Sequence, residues 1–264
     1  MAERKKMMHI GICQGDIGGY LLLPGSPERA ERLAGYLEDA AEVAYFREYR
    51  TFTGFLDGVK VSVTSTGMGG PSMAIAAEEL RECGAHTMIR VGTCESTCSR
   101  VLKGELVLPN GAVRMEGVAD HYAPREYPAV PDMDVLAALE EAARLRGWPY
   151  HVGVDITKAC FSTQYAAAGR PMGYELTRRW EAYEAGGALC ADMGCAPLFV
   201  AAGSLEVRTG AVLAVSCDRG AYSDDWNDWP AACEDLACEA AVEGLRQLLR
   251  QDREEGRSYA GESR

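Results

Sequence analysis

The stretch YLLLPGSPER, residues 20–29, decides the fold class of this 264-residue chain. Residues 20–23 form an unbroken apolar run typical of a buried strand, and Pro24 and Gly25 end it. Pro27 fits the first turn of a following helix, because the N–H that proline lacks has no helical partner there. A buried strand that passes directly into a helix is a building unit of layered α/β domains.

The same alternation continues along the chain. We predict further strands over residues 60–66, 87–91, 105–108, 151–156 and 211–216. We predict helices over residues 27–37, 71–83, 133–146 and 236–249, with Asp132 as the cap of the third. The pattern indicates one α/β domain over residues 1–250, with helices on both faces of a sheet, and a flexible charged tail over residues 251–264.

The net charge restricts the classes of partner that the protein can bind. The chain has 27 Lys and Arg against 39 Asp and Glu, which gives a net charge of −12. This field repels polyanions, so we expect no nucleic-acid partner and no membrane partner. The chain shows neither an apolar stretch long enough to span a membrane nor the apolar core of a signal peptide, so we expect a cytoplasmic protein.

Ten cysteines raise the question of disulfides or a metal site. No pair has the two-residue spacing of a zinc knuckle, and no histidine stands near them in a ligand pattern. We therefore expect free thiols and no metal.

Three turns at predicted strand ends carry residues suited to an anion. Gly25 and Arg29 follow the first strand, a glycine-rich loop occupies residues 66–72, and Arg90 and Thr93 end another strand. Backbone N–H groups at a helix start and the planar donors of arginine both bind oxyanions. Each feature is also compatible with an ordinary tight turn or a surface arginine. The loop matches neither the dinucleotide fingerprint nor the P-loop.

These residues, with their neighbours, resemble the nucleoside phosphorylase-I family. The matching segments are PGSPER at 24–29, FREY at 46–49, STGMGGPS at 65–72 and IRVGT at 89–93. Further segments are similar to the uridine phosphorylase branch: VRMEG at 113–117, HYAPREYPAV at 121–130, HVGV at 151–154 and Phe161. The resemblance implies a single three-layer α/β/α domain with a central mixed sheet. It also implies dimers that usually group into a hexamer.

The resemblance implies a pentosyltransferase that cleaves the N-glycosidic bond of a nucleoside reversibly, giving a free base and ribose 1-phosphate. Inorganic phosphate would be the co-substrate, with no metal or other cofactor. Phosphate would be held by Gly25, Arg29, Arg90, Thr93 and, from the neighbouring subunit, Arg47. The nucleoside would be held by His9 from across the dimer and by Phe161, Gln164, Asp192 and Met193. Arg219 would lie near the base, and Arg29 and Arg90 would also act in catalysis.

Three positions depart from the family pattern. Glu95 places a carboxylate where small residues are usual, and Gln164 stands two positions early with no arginine before Arg170. Gly194 replaces the glutamate expected to accept the ribose hydroxyls. We interpret Glu95 as a replacement acceptor for a sugar hydroxyl or a base N–H. In the alternative, Glu95 points to solvent.

Two further features have alternative interpretations. Asp218 could protonate the leaving base as a catalytic acid, or form an ordinary ion pair with Arg219. The aromatic residues Tyr222, Trp226 and Trp229 could form a lid over the base or anchor a surface loop.

The sequence thus favours a uridine-phosphorylase-like enzyme. Three alternatives remain open: a phosphorylase for purine or modified nucleosides, a hydrolytic nucleosidase, and a non-catalytic nucleoside-binding homologue.

Overall fold

A nine-stranded mixed sheet forms the centre of the computed structural model, which describes residues 5–165, 167–221 and 231–257. The strands are β1 (Tyr20–Pro24), β2 (Glu38–Phe46), β3 (Tyr49–Leu56), β4 (Val59–Thr64), β5 (Thr87–Ser96), β6 (Leu106–Met115), β7 (Tyr150–Lys158), β8 (Cys190–Asp192) and β9 (Arg208–Cys217). The helices are α1 (Pro27–Ala34), α2 (Gly70–Glu82), α3 (Met133–Arg146), α4 (Ser162–Tyr165), α5 (Gly173–Ala185), α6 (Cys195–Ser204) and α7 (Ala231–Glu254), with a 3₁₀ turn over Ala119–His121.

Strand β5 lies at the centre of the sheet and pairs with three other strands. On one side it pairs in parallel with β1, which pairs in parallel with β4, and the antiparallel strands β3 and β2 complete that wing. Strand β5 also pairs in parallel with β9 along its length and, at its end, antiparallel with β8. Because β8, β7, β6 and β9 also pair in that order, these strands close into a ring on β5. The predicted α/β class and mixed sheet are therefore confirmed.

Helices cover both faces of the sheet and enclose two apolar cores. Helices α2 and α6 pack on one face, where Met73, Leu80 and Leu198 are fully buried. Helices α1, α3 and α7 pack on the other face, where Leu33 and Leu245 are fully buried. No helix among the described residues is both long enough and apolar enough to cross a membrane.

Two of the elements that the sequence pattern did not reveal have unusual burial. Strand β2 is mostly exposed, so it lacks the apolar alternation of a half-buried strand. Helix α6 is buried over eight of its residues, and a helix that is apolar all round has no amphipathic period. Helix α1 also ends at Ala34, before the predicted end at residue 37, since Gly35 caps it.

The last helix extends past residue 250, where the sequence analysis placed the start of the charged tail. Helix α7 continues to Glu254, and Asp252 within its last turns is buried. The Asp252 carboxylate accepts a 2.8 Å hydrogen bond from the Tyr20 hydroxyl and a 2.6 Å bond from Arg208 Nη2. These bonds attach the helix end to the first and last strands. Residues 258–264 lie outside the described part of the chain.

Candidate active site

The turns after β1 and β4 lie side by side at one edge of the sheet. The carboxyl ends of β1, β4 and β5 meet there because these strands are parallel. The Thr66 N–H donates to the Pro24 carbonyl at 2.9 Å, and a Cβ on Gly25 would lie 3.6 Å from the Gly67 carbonyl oxygen. Gly67 and Gly69 have φ of 70° and 93°, a region that favours glycine. The two glycine turns are therefore neighbours.

Arg29 is fixed in the first turn of α1. Ser26 caps this helix by accepting a 3.2 Å hydrogen bond from the Arg29 N–H. Arg29 is only 6% exposed. Its guanidinium donates a 3.3 Å hydrogen bond to the Val91 carbonyl and pairs with the Glu234 carboxylate. Its Nε–H is buried and has no hydrogen-bond partner among the described residues. Glu234, from α7, was not singled out in the sequence because it lies far from Arg29 along the chain.

Arg90 lies on β5 with its guanidinium lodged between two glycines. Its Nε donates to the Asp192 carboxylate at 2.5 Å. A Cβ on Gly194 would lie 2.9 Å from the Arg90 Cζ, and one on Gly92 would lie 3.3 Å from Nη2. Gly194 is thus more than a missing acceptor, because the absent side chain leaves the volume that the Arg90 guanidinium occupies.

Asp192 connects Arg90 to the start of α6. Its carboxylate also accepts the backbone N–H groups of Gly194 at 3.1 Å and Cys195 at 3.2 Å. Burial alone would raise the pKa of Asp192, but the Arg90 guanidinium holds it below its ordinary value. Asp192 is therefore an ionised residue that orients an arginine, and in this arrangement its carboxylate is not free for a ribose hydroxyl.

A second buried carboxyl group, Asp155 on β7, lies behind Asp192. Burial and the Asp192 charge raise the pKa of Asp155 well above its ordinary value. Thr157 bridges the two, since its hydroxyl lies 2.6 Å from Asp155 Oδ2 and 3.4 Å from Asp192 Oδ1. Side-chain atoms of Asp155, Asp192 and Cys195 lie within 4.8 Å of one another, a spacing compatible with a metal ion. Arg90, however, already neutralises the Asp192 carboxylate. The sequence offered one signal for Asp155, a carboxylate inside a predicted buried strand.

The ends of β5 and β7 bring Glu95 to Lys158. Glu95 is only 8% exposed, so the alternative in which it points to solvent is wrong. Lys158 Nζ lies 3.7 Å from Glu95 Oε2 and 5.0 Å from the centre of the Phe161 ring. Burial lowers the pKa of Lys158. The sequence analysis missed Lys158, although a lysine at the end of a strand three residues before Phe161 was a usable signal.

Met193, between Asp192 and Gly194, lies against the glycine loop. Its terminal methyl carbon lies 3.9 Å from the position that a Cβ on Gly69 would take. Half-buried Thr93 lies on the same strand as Arg90. The Gln164 side chain lies outside the described residues.

The sequence profile of the phosphorylase superfamily matches residues 20–250. The chain belongs to the phosphorylase superfamily.

Its relatives in this superfamily match nearly their whole length. The chain is 42% identical over 244 residues to the uridine phosphorylase of Treponema pallidum, covering 92% of this chain and 95% of the relative. It is 33% identical over 226 residues to the guanosine phosphorylase of Halorubrum lacusprofundi, covering 83% and 89%. The crystal structure of a Vibrio fischeri uridine phosphorylase superposes with a TM-score of 0.81 at 28% identity, covering 92% of this chain and 97% of that one. The family resemblance seen in the sequence is confirmed.

Two predicted site residues of this phosphorylase lie apart from the arginine pair. His9 Nδ1 is 2.6 Å from the Glu79 carboxylate, which also accepts the His9 N–H. Arg47 is exposed at the β2–β3 turn, with its guanidinium 5.4 Å from the centre of the Phe46 ring. Within the described ranges, no hydrogen bond or ion pair joins either residue to Arg29 or Arg90.

Asp218 and Arg219 of the phosphorylase lie just beyond the end of β9. Asp218 is exposed and accepts the Lys103 N–H at 2.6 Å, while Arg219 pairs with Glu184 at 2.7 Å. Of the two interpretations of Asp218, the ion pair with Arg219 does not form, since each of these described residues has another partner. The lid residues Tyr222, Trp226 and Trp229 lie outside the described part of the chain.

Proposed function

We propose that the protein is a uridine-phosphorylase-like enzyme that cleaves a nucleoside with inorganic phosphate, giving a free base and ribose 1-phosphate. The observation that carries this proposal is the pair of buried arginines, Arg29 and Arg90, beside two glycine turns in a chain of the phosphorylase superfamily. Buried arginines with several donors suit an oxyanion far better than water or a neutral nucleophile.

The arginine end can hold and position phosphate. The buried Arg29 Nε–H lacks a partner in the described structure, and a buried donor without one costs about 1–3 kcal/mol. A phosphate oxygen would satisfy it. Glu234 and Asp192 hold the two guanidinium groups in place. Phosphate binding therefore costs these side chains little further conformational freedom. Thr93 and the turn at Gly25 would supply further contacts.

The reaction then follows from positioning and electrostatics. A phosphate oxygen forms a bond to C1′ of the ribose while the C1′–N bond breaks and its electron pair passes to the base. The sugar gains positive charge in the transition state, and the held phosphate stabilises it. This chemistry requires no cofactor beyond phosphate, and we propose that none is used.

A second subunit would complete the site. His9 and Arg47 lie outside the arginine pair, and the surface around them exposes Met8, Tyr45, Phe46 and Met68. Exposed apolar clusters of this kind mark interaction surfaces. We propose that dimerisation brings His9 and Arg47 of one protomer to the site of its partner, and that dimers group into hexamers in the cytoplasm.

A purine nucleoside is the second candidate substrate. One relative is a guanosine phosphorylase, and Glu95 offers an acceptor that a guanine N–H would use. Base specificity therefore separates the two candidates, whereas the phosphate site serves both.

The test is release of free base from a panel of nucleosides with and without phosphate. Phosphate-dependent release from uridine supports the proposal, and release from guanosine or inosine alone selects the second candidate. Release without phosphate identifies a hydrolase and contradicts both. No release, with calorimetric binding of uridine retained, identifies a non-catalytic homologue.

A further inference from the structure

Lys158 is exceptional among the lysines of this chain. The sequence contains five lysines, and Lys5, Lys6, Lys60 and Lys103 are all exposed. Lys158 is only 5% exposed. Removing an ammonium group from water is costly, and a buried lysine is therefore retained where its charge has a specific partner.

A carboxylate and an aromatic ring both lie close to the Lys158 ammonium. Glu95 lies on the neighbouring part of the sheet with its carboxylate 3.7 Å from Nζ, and Phe161 places its ring 5.0 Å from the same atom. Phe161 itself is 43% exposed, so one part of its ring faces open space. A flat heterocycle that stacks on Phe161 would meet the ammonium and the carboxylate side by side at one edge.

The position along the strands places this pair beside the arginine end. Lys158 directly follows Thr157, which pairs in register with Asp192, the partner of Arg90. Glu95 lies on β5, the strand that carries Arg90. A ligand whose phosphate-reactive end lies at Arg90 would thus extend toward Glu95 and Lys158 with its other end.

Building on the proposed function, we propose that Lys158 and Glu95 together bind the base, and that Lys158 stabilises the base as it leaves. The ammonium donates to a ring carbonyl oxygen, and the carboxylate accepts the adjacent ring N–H. The substrate class is therefore a nucleoside whose base carries a –CO–NH– edge, as uracil and guanine do.

This assignment gives Lys158 a role in the bond-breaking step. The electron pair of the C1′–N bond passes to the base, and the negative charge spreads onto the carbonyl oxygen. An ammonium group beside that oxygen in a site with little water stabilises the developing charge strongly. The base takes up its proton from water after the bond has broken. Glu95 holds the base in position by accepting a hydrogen bond from the ring N–H.

The leaving-base role is tested with Lys158→Met on uridine and on 5-fluorouridine, whose base is more acidic and leaves more easily. We expect kcat on uridine to fall about a hundredfold, and kcat on 5-fluorouridine to fall about tenfold or less. The KM for phosphate should change little. Lys158→Arg should restore part of the uridine rate, because arginine keeps a cationic donor. Glu95→Gln should raise the KM for uridine about tenfold.

Lys60→Met is the matched control, since Lys60 is exposed near the start of β4, at the opposite edge of the sheet from the site. An equal loss on both nucleosides, or no loss, overturns the inference, and a melting curve shows whether the variant folds. If the wild type releases no base, the proposed function fails by itself. Calorimetry with uridine then decides the contact: weaker binding in Lys158→Met supports it, and unchanged binding contradicts it.

Discussion

At the arginine end of the site, Arg29 and Arg90 are each held by a buried carboxylate, whereas at the Phe161 end a carboxylate and an ammonium lie next to each other. The first arrangement fixes two cationic donors in place and suits an anion. The second presents one acceptor and one donor and suits the polar edge of a neutral ring. Under the proposed function, the two ends of the site have separate tasks, phosphate binding and base selection, so variants should affect them separately.

Replacing Arg90 should have the largest effect on activity and stability. Arg90→Met removes a phosphate donor and leaves Asp192 buried without its cation. We expect kcat/KM to fall about a thousandfold and the unfolding free energy to fall by about 3–5 kcal/mol. Steady-state kinetics and denaturant unfolding measure the two effects.

Arg208→Met is its matched control, because Arg208 pairs with buried Asp252 far from the site. It should lower stability while leaving the KM for phosphate unchanged. An equal rise of that KM in both variants would mean that Arg90 acts only through the fold.

Arg29 and Arg32 provide the next comparison, since both donate to the same Glu234 carboxylate. Arg29→Met should raise the KM for phosphate about tenfold to a hundredfold, the value of one charge-assisted hydrogen bond. Arg32 is half-buried on the outer side of Glu234, so Arg32→Met should change that KM by about twofold at most. Phosphate titrations at saturating nucleoside measure both values. Equal effects would place phosphate elsewhere.

A methyl group at Gly194 should have a smaller effect. The added Cβ would lie 2.9 Å from the Arg90 Cζ, so Gly194→Ala forces the guanidinium to move. We expect about a tenfold loss of kcat/KM. Gly203→Ala is the control in the same helix, where an added Cβ meets nothing within 4 Å. It should keep full activity and raise stability by about 0.4–1 kcal/mol. Full activity of Gly194→Ala would contradict the role of Gly194 as space for Arg90.

The smallest predicted effect concerns the proton on Asp155. Its raised pKa means that the folded protein binds this proton more tightly than the unfolded chain. The resulting stability is complete below the pKa of the unfolded chain and is lost as the pH rises toward the folded pKa. Asp155→Asn does not titrate, so its melting temperature relative to the wild type should rise as the pH increases above about 4, the ordinary pKa of an aspartate. A difference that stays constant with pH would contradict the protonated state.

The features that the sequence made predictable are local. The strand, the Pro24-Gly25 turn and the first turn of α1 follow one another along the chain, and each residue type has one strong conformational reason. The same holds for the glycine loop before α2, whereas Arg90 lies within β5, which continues to Ser96 beyond the predicted end at residue 91. These local features lie at the arginine end of the proposed site.

The features that escaped prediction depend on distant contacts or on unusual burial. Glu234 meets Arg29 from the last helix, and Lys158 meets Glu95 from another strand. No spacing along the chain encodes such pairs. Strand β2 and helix α6 were missed because the first is exposed and the second is buried all round, so neither shows a periodic apolar face.

The most direct measurement of the central claim is a calorimetric titration of inorganic phosphate into the wild type, Arg29→Met and Arg32→Met. We predict saturable binding to the wild type and to Arg32→Met, with binding to Arg29→Met weakened about tenfold or more. Absence of phosphate binding to the folded wild type, or equal binding to all three proteins, would contradict the account.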